Sequence, residues 1–467
     1  MASPPVDQGS GGSWLAPPWI VARLGGRLLE VAETAIAAEG ADDAEALVLR
    51  QAGGLTRFAS SRIHQSTWQE DLSVRLRLVV DGNRVGTATV HDTEPAAVRA
   101  AARRAAQVAR TMPPDPGYPG MPGPGAYPDA GRWDEATAAA DPATRAGLVA
   151  EVVRRLPSGV TAAGACETRQ LEVAVANRRG VRALGATTAA SFSILADAGS
   201  GTGWAEGAAP SLAAVDVAGL GERAARKAVD AREPRELTPG AYPVVLEPCA
   251  VATLVQFLGW LGFGAKAYDE GRSFLVGRLG QRVCSPLVTI VDDALAEDTI
   301  GVGFDFEGVP RRRVTLVDEG VAASLVYDFR SARQHGVEPT GHGLPAPSTE
   351  GALPLHLSML PGRTPREELV TGMERGLLVT RFHYTNLVNL MDTTITGMTR
   401  DGTFWVEDGQ VRGAVRNLRF TQSILEALSA VRAVGADTEL SGEDGYGAAR
   451  APALAIDRFN FSSATTF

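Results

Sequence analysis

Residues 383–423 read HYTNLVNLMDTTITGMTRDGTFWVEDGQVRGAVRNLRFTQS, and this stretch decides the fold class. Two short runs of β-forming residues, 403–407 and 411–415, stand among the Asp-Gly dipeptides at 401–402 and 408–409. Asp followed by Gly suits a tight turn, because the aspartate bonds nearby backbone and the glycine accepts φ > 0 at no steric cost. The spacing predicts a meander of hairpins with few helices. Turn chemistry then accounts for Arg400, Asp401, Glu407 and Asp408 without an acid–base pair among them.

Similar short runs recur at 242–246, 287–291, 314–317 and 324–327, so residues 240–467 read as one large β-rich domain with a mixed or antiparallel sheet. Pro234, Pro239 and Gly240 punctuate the boundary before it. Upstream, Ile20, Leu24, Leu28, Val31 and Ala35 recur at helical spacing, and strands are expected at 44–50 and 57–63. The clearest strand is 72–80, where Leu72, Val74, Leu76, Leu78 and Val80 share a face. Asp81-Gly82 turns it into 84–90, and Pro95 opens a helix over 95–110. Seven prolines between 113 and 128 forbid helix or sheet there. A helix over 141–156, a hairpin of 170–177 with 182–197 and a helix over 216–230 form a second unit. The fold class is α+β: a disordered terminus (1–18), two small α+β units (19–111 and 133–232) joined by a Pro/Gly-rich linker or loop (112–132), and the β-rich domain (240–467).

With 467 residues, the chain is too long for one ordinary core. Its 45% hydrophobic and 21% charged residues belong to a soluble globular protein. A formal net charge of −9 argues against binding the phosphate backbone of nucleic acid. With no run of 18 apolar residues and no basic segment leading into an apolar one, no membrane association is expected and the location expected is cytoplasmic. Cys166, Cys249 and Cys284 are odd in number and widely spaced, which fits buried thiols in a reducing compartment.

The 383–423 stretch resembles the C-terminal signature of the TldD/PmbA family. Residues 56–92, TRFASSRIHQSTWQEDLSVRLRLVVDGNRVGTATVHD, are similar to its N-terminal signature, in an order and spacing that agree with one full-length member from about residue 44 onward. The family has a TldD-like zinc peptidase branch, which carries a His-Glu-x-x-x-His helix, and a PmbA-like (TldE-like) metal-free branch. Residues 253–266, TLVQFLGWLGFGAK, stand where that helix belongs. Aligned on Gly259, Val255 and Trp260 fall on the histidines and Gln256 on the glutamate. Valine and indole offer zinc no lone pair, and an amide is too weakly basic to deprotonate water.

A shifted frame does not restore the site. The six histidines, His64, His91, His335, His342, His356 and His383, include no pair three or four apart and none followed by Glu. The late cysteine that the zinc branch resembles is missing: residues 440–447 read LSGEDGYG, and no cysteine follows Cys284. The resemblance thus implies a PmbA-like (TldE-like) metal-free subunit, with no cofactor in this chain and zinc in a TldD-like catalytic partner. Together the two would form a heterodimer whose chamber admits unfolded or short peptides, such as leader peptides of ribosomal peptides.

No catalytic or metal residue is assigned. Trp260 and Phe263, bulky on the would-be ligand helix, are either core packing or fillers of the cleft and peptide groove. Alternatives are a stand-alone hydrolase with a non-zinc site, its candidate a lone Cys249 or Cys284 near His335 without a G-x-S-x-G signature, and a peptide-binding or chaperone-like protein acting alone. Arg311, Arg312 and Arg313 read as a solvated strand edge or an anion site. His335 with His342 makes a loose metal pair lacking a third ligand.

Overall fold

A computed structural model describes residues 26–37, 39–441 and 449–465. Terminus 1–18, Ile20 and Leu24 of the first helix, and most of the 440–447 turn lie outside the described residues.

Six antiparallel strands form the amino-terminal sheet: β1 (Asp43–Ala59), β2 (Arg62–Val80), β3 (Arg84–Val90), β4 (Thr161–Asn177), β5 (Arg182–Asp197) and β6 (Thr202–Ala209), in the order β3-β2-β1-β4-β5-β6. The two α+β units therefore share a single sheet, joined where β1 pairs with β4 from Glu45↔Asn177 to Phe58↔Gly164. Helices α1 (Arg27–Ile36) and α2 (Pro95–Thr111) cover one half, and α3 (Pro142–Arg155) and α4 (Val217–Asp230) the other, each half with its own apolar core. Pro95 occupies the first turn of α2, where its missing N–H costs nothing. Asp141 and Asp216 cap α3 and α4 by accepting from Thr144 N at 2.7 Å and Gly219 N at 2.9 Å. The buried face of α2 is a row of alanines that lets it ride close on β3; a Cβ at Gly86 would stand 2.2 Å from Ala105 O.

The expected strand 57–63 is instead the end of a hairpin. Ser60 and Ser61 both take left-handed conformations (φ 48° and 60°) and turn β1 into β2. Local chemistry does not signal this turn, because it contains no glycine, asparagine or aspartate. Gly53 and Gly54, which interrupt the apolar alternation, stay inside β1; a Cβ at Gly54 would lie 2.2 Å from the guanidinium of buried Arg145. The Pro/Gly-rich segment is strapped between the sheet and the carboxy-terminal domain. Asn177 Nδ2 donates to Pro122 O at 2.9 Å, Tyr127 Oη donates to Gly308 O at 3.0 Å, and Arg330 pairs with Asp115.

The carboxy-terminal domain begins with β7 (Gly240–Leu246) and α5 (Pro248–Gly262), followed by β8 (Ile290–Asp292), β9 (Val314–Asp318), β10 (Val321–Ala322) and β11 (Leu357–Met359). Then come β12 (Arg375–Asn389), β13 (Thr394–Glu407), β14 (Gln410–Ala414), β15 (Leu418–Ser423), β16 (Val431–Ser441) and β17 (Ala449–Ala464). The sheet is mixed: β7 is parallel to β12 and β11 to β17, and the other pairs are antiparallel. The path β17-β15-β13-β12-β7 returns to β17 and closes on itself. Helix α5 lies against β12, β16 and β17 and contributes to the largest core.

Of the two Asp-Gly dipeptides, Asp408-Gly409 is a hairpin turn (φ 51° and 70°) joining β13 to β14. Asp401-Gly402 corrects the expectation of a second turn. With φ 54° and 120° it lies inside β13, where the register slips against Val379 and Arg381, and forms an irregularity of the bulge kind. Residues 324–327 are not a strand either; Val326 meets Gly264 through an isolated bridge.

Candidate functional site

Helix α5 starts at Pro248 and is apolar on most sides, so it is held between sheet and loops rather than on the surface. Gly259 lets β11 press against it; a Cβ there would sit 2.4 Å from Leu357 Cδ1. Val255 is wholly buried in the core, Gln256 is half-buried, and Trp260 is 58% exposed. Positions five apart on a regular helix are rotated by ~140°, which sends residue 255 inward and residue 260 outward. Phe263 is wholly buried, edge-on to Phe274 at 5.4 Å, whereas Trp260 meets the edge of Phe257 at 6.2 Å. The two aromatics paired in the sequence reading thus part company: Phe263 is core, and Trp260 is open to solvent. The donor chemistry and directions of Val255, Gln256 and Trp260 do not fit a zinc ion. Among the described residues no three His, Cys, Asp or Glu converge as a metal site.

A small cavity of about 10 Å³ lies at the amino end of α5, between α4 and β6 on one side and the carboxy-terminal domain on the other. Its walls are charged. Lys227 Nζ reaches Glu247 at 2.5 Å, Arg366 spans Glu247 at 3.3 Å and Glu439 at 2.8 Å, and Arg223 meets Glu439 at 2.5 Å. Burial pushes Glu439 up, but Arg366 and Arg223 outweigh it and hold the carboxyl below its ordinary range. Alongside, the Arg381 guanidinium lies 3.8 Å from the Trp204 ring and binds Asp401 at 2.5 Å, while the Thr202 hydroxyl donates to Asp401 at 2.8 Å. Asp401, read from sequence as a turn residue, therefore ties the central unit to the β-rich domain. Nothing in local spacing could reveal this, since Thr202 and Arg381 lie far from it in the chain.

Chemically the site is quiet. Burial, followed by the neighbouring Glu206 carboxylate, raises the Cys249 thiol well above its ordinary range, and such a thiol is a poor nucleophile. Burial pushes Cys284 up to about 12. His335 is taken by Asp269 at 2.8 Å and by the edge of Tyr327. His342, which the sequence reading set beside His335, is buried elsewhere, with Nε2 on Asp292 at 2.9 Å and Nδ1 on Thr340 at 2.8 Å. Arg311 corrects the solvated-edge reading: it is 4% exposed and its Nε donates to Phe304 O at 3.1 Å, while Arg312 and Arg313 are exposed.

A second, open cleft of about 550 Å³ runs beside Arg132, Trp133, Asp134, Ser211 and Glu297. Arg132 donates to the carbonyls of Gly131 and Leu295, and Asp134 caps the turn at Thr137. Those charges serve the fold.

Models of three PmbA/TldA metallopeptidase domains match the chain: domain 1 over residues 44–109, the central domain over 132–232 and the C-terminal domain over 239–463. A metalloprotease of Methanothermobacter thermautotrophicus is 27% identical over 230 residues, 48% of this chain and 49% of that protein. Metalloprotease PmbA of Escherichia coli O157:H7 is 25% identical over 241 residues, 51% of this chain and 50% of that protein. The matches span about half the length of these curated relatives. Among solved structures, TldE from Thermococcus kodakarensis superposes with a TM-score of 0.85 at 21% identity, covering 94% of this chain and all of that one. A Thermotoga maritima protein described as a putative modulator of a DNA gyrase gives 0.80 at 21% identity over the same shares. At these identities the structural likeness carries the fold. No helix among the described residues is long and apolar enough to cross a membrane.

Proposed function

The chain belongs to the PmbA/TldD metallopeptidase family, and from that premise we propose that it is the non-catalytic, TldE-like subunit of a heterodimeric peptidase. One observation carries the reading: the positions matching the metal helix hold Val255, Gln256 and Trp260, of which one is core, one is an amide and one faces solvent. A peptidase needs a polarised water and a base there, and this helix offers neither. The TldD-like partner supplies zinc, base and bond cleavage, and this chain supplies wall and interface of a cytoplasmic chamber. The substrates are unfolded or short peptides, leader peptides of ribosomal peptides among them, held as an added strand through main-chain hydrogen bonds.

The test is to purify the chain and a TldD-like homologue with an intact His-Glu-x-x-x-His helix, then measure bound zinc and peptide cleavage for each alone and for the mixture. Cleavage that appears with the partner, together with a zinc-free isolated chain, is the expected result. Stoichiometric zinc in the isolated chain, or chelator-sensitive cleavage by it alone, refutes the proposal.

A further inference from the structure

The amino-terminal sheet meets the carboxy-terminal domain at a buried cluster in which carboxylates outnumber cations. Glu45 on β1 and Arg77 on β2 are direct cross-strand partners. Arg77 Nη2 donates to Glu45 Oε2 at 2.7 Å, and Nη1 donates across the domain boundary to Glu307 Oε1 at 3.3 Å. Glu45 is 3% and Glu307 9% exposed. Arg77 Nε is buried without a hydrogen-bond partner, so the cation is shared at its tips and not enclosed. Glu307 accepts Phe329 N at 2.9 Å with its other oxygen. Two residues away Asp305, 1% exposed, accepts from the backbone N–H groups of Glu307, Val309 and Gly343.

The remaining charges do not redress the balance. Glu45 also faces Asp43, which is engaged by Arg179 at 2.7 Å; Glu307 also faces Asp328; and Asp305 faces Glu307 and Arg311, the latter shared with Asp292. Tyr118 on the Pro/Gly-rich strap lies beside Arg77 and keeps its proton, since burial pushes it above its ordinary range. A desolvated carboxylate without a cation of its own takes up a proton in preference to remaining charged.

We propose that this seam is a proton-loaded clamp: Arg77 neutralises one of Glu45 and Glu307, the other carboxyl holds a proton, and loss of that proton loosens the sheet from the β-rich domain. Burial moves Glu45 up to about 7 against the pull of Arg77, and burial likewise raises Glu307 and Asp305. A carboxyl whose folded value is raised contributes stability that is present below its unfolded value, near 4.5 for Glu45, and is lost as pH rises through about 7. The contact is therefore tight in mild acid and loosens as pH rises to neutrality. This behaviour is a property of the chain alone, whatever its partner.

Amide hydrogen exchange of the full chain at pH 5 and pH 8, corrected for intrinsic rates, tests the clamp at residues 42–48 and 303–310, with residues 190–197 in the β5–β6 pairing as the internal reference. Opening releases one linked proton between about pH 4.5 and about pH 7, so the opening equilibrium of the seam rises by roughly tenfold per pH unit across that window and levels off above it. The reference pairing should not follow. Glu45→Gln and Glu307→Gln, each a permanently neutral mimic, should abolish this dependence; either variant suffices should the other fail to fold. Seam protection that is the same at both pH values in the wild type, or a pH dependence undiminished in the folded variants, overturns the proposal.

Discussion

Of the charged contacts between the amino-terminal sheet with its helices and the β-rich domain, the Arg77 seam and the α5 junction are built on opposite balances. At the Arg77 seam one guanidinium, its side chain 18% exposed, faces two carboxylates whose side chains are 4% and 12% exposed. At the α5 junction Arg223, Lys227 and Arg366 face Glu247 and Glu439, and the arginines keep about a third of their side-chain surface in water. The same residue types therefore respond to pH with opposite sign. Glu45 is raised, so its contribution is lost as pH rises through about 7. Glu439 is lowered by its two arginines, so its contribution is present above the ordinary glutamate value and is lost as pH falls beneath it. The local count of cations against carboxylates, under a given degree of burial, decides whether a contact is sensitive to acid or to base.

The comparison can be broken at the cation of each contact. Arg77→Met removes the cation that both seam carboxylates contact, and the loss expected in denaturant unfolding at pH 7 is about 3–5 kcal/mol, the scale for breaking a buried pair. A loss below about 1 kcal/mol would show that the seam is not an electrostatic contact. Arg366→Met should cost less, about 1–2 kcal/mol, because Arg223 and Lys227 remain and water screens the site. Should the two losses be equal, burial is not what separates the contacts. Glu439→Gln is expected to cost about 1 kcal/mol or less at pH 7 and to flatten the fall in stability below pH 4.5, read from melting temperature against pH; an unchanged acid limb would assign that limb elsewhere. The smallest effect is that of salt. Raising NaCl from 0.1 to 1 M shortens the screening length to about 3 Å and should weaken the junction by a few tenths of a kcal/mol while leaving the seam unmoved, as seen by exchange at residues 223–227 against residues 42–48.

Much of the architecture is legible in the residues. The β2 strand with its Asp81-Gly82 turn, the helices over 141–156 and 216–230, and the hairpin of 170–177 with 182–197 all follow from short-range chemistry, and each is found where that chemistry puts it. The misplaced elements are those in which a distant partner overrides local preference. Ser60-Ser61 turns without a glycine, Asp401-Gly402 stays in a strand because Arg381 and Thr202 hold it there, and Arg311 is drawn from a basic triplet into the core between Asp292 and Asp305. The same limit governs the candidate site, where sequence identifies the side chains at 255, 256 and 260 but not their directions.

Sequence alone determined which chemistry α5 can offer, since valine, glutamine and tryptophan lack the lone pairs and basicity of a zinc peptidase wherever they point. It also determined the order of the units and most of their turns, because these depend on neighbours a few residues apart. The tertiary structure decided that Phe263 is core while Trp260 is exposed, that the two small units share one sheet, and that Glu45, Arg77 and Glu307 meet. Burial and charge balance arise from residues hundreds of positions apart, and no local pattern in the chain encodes the distance between them.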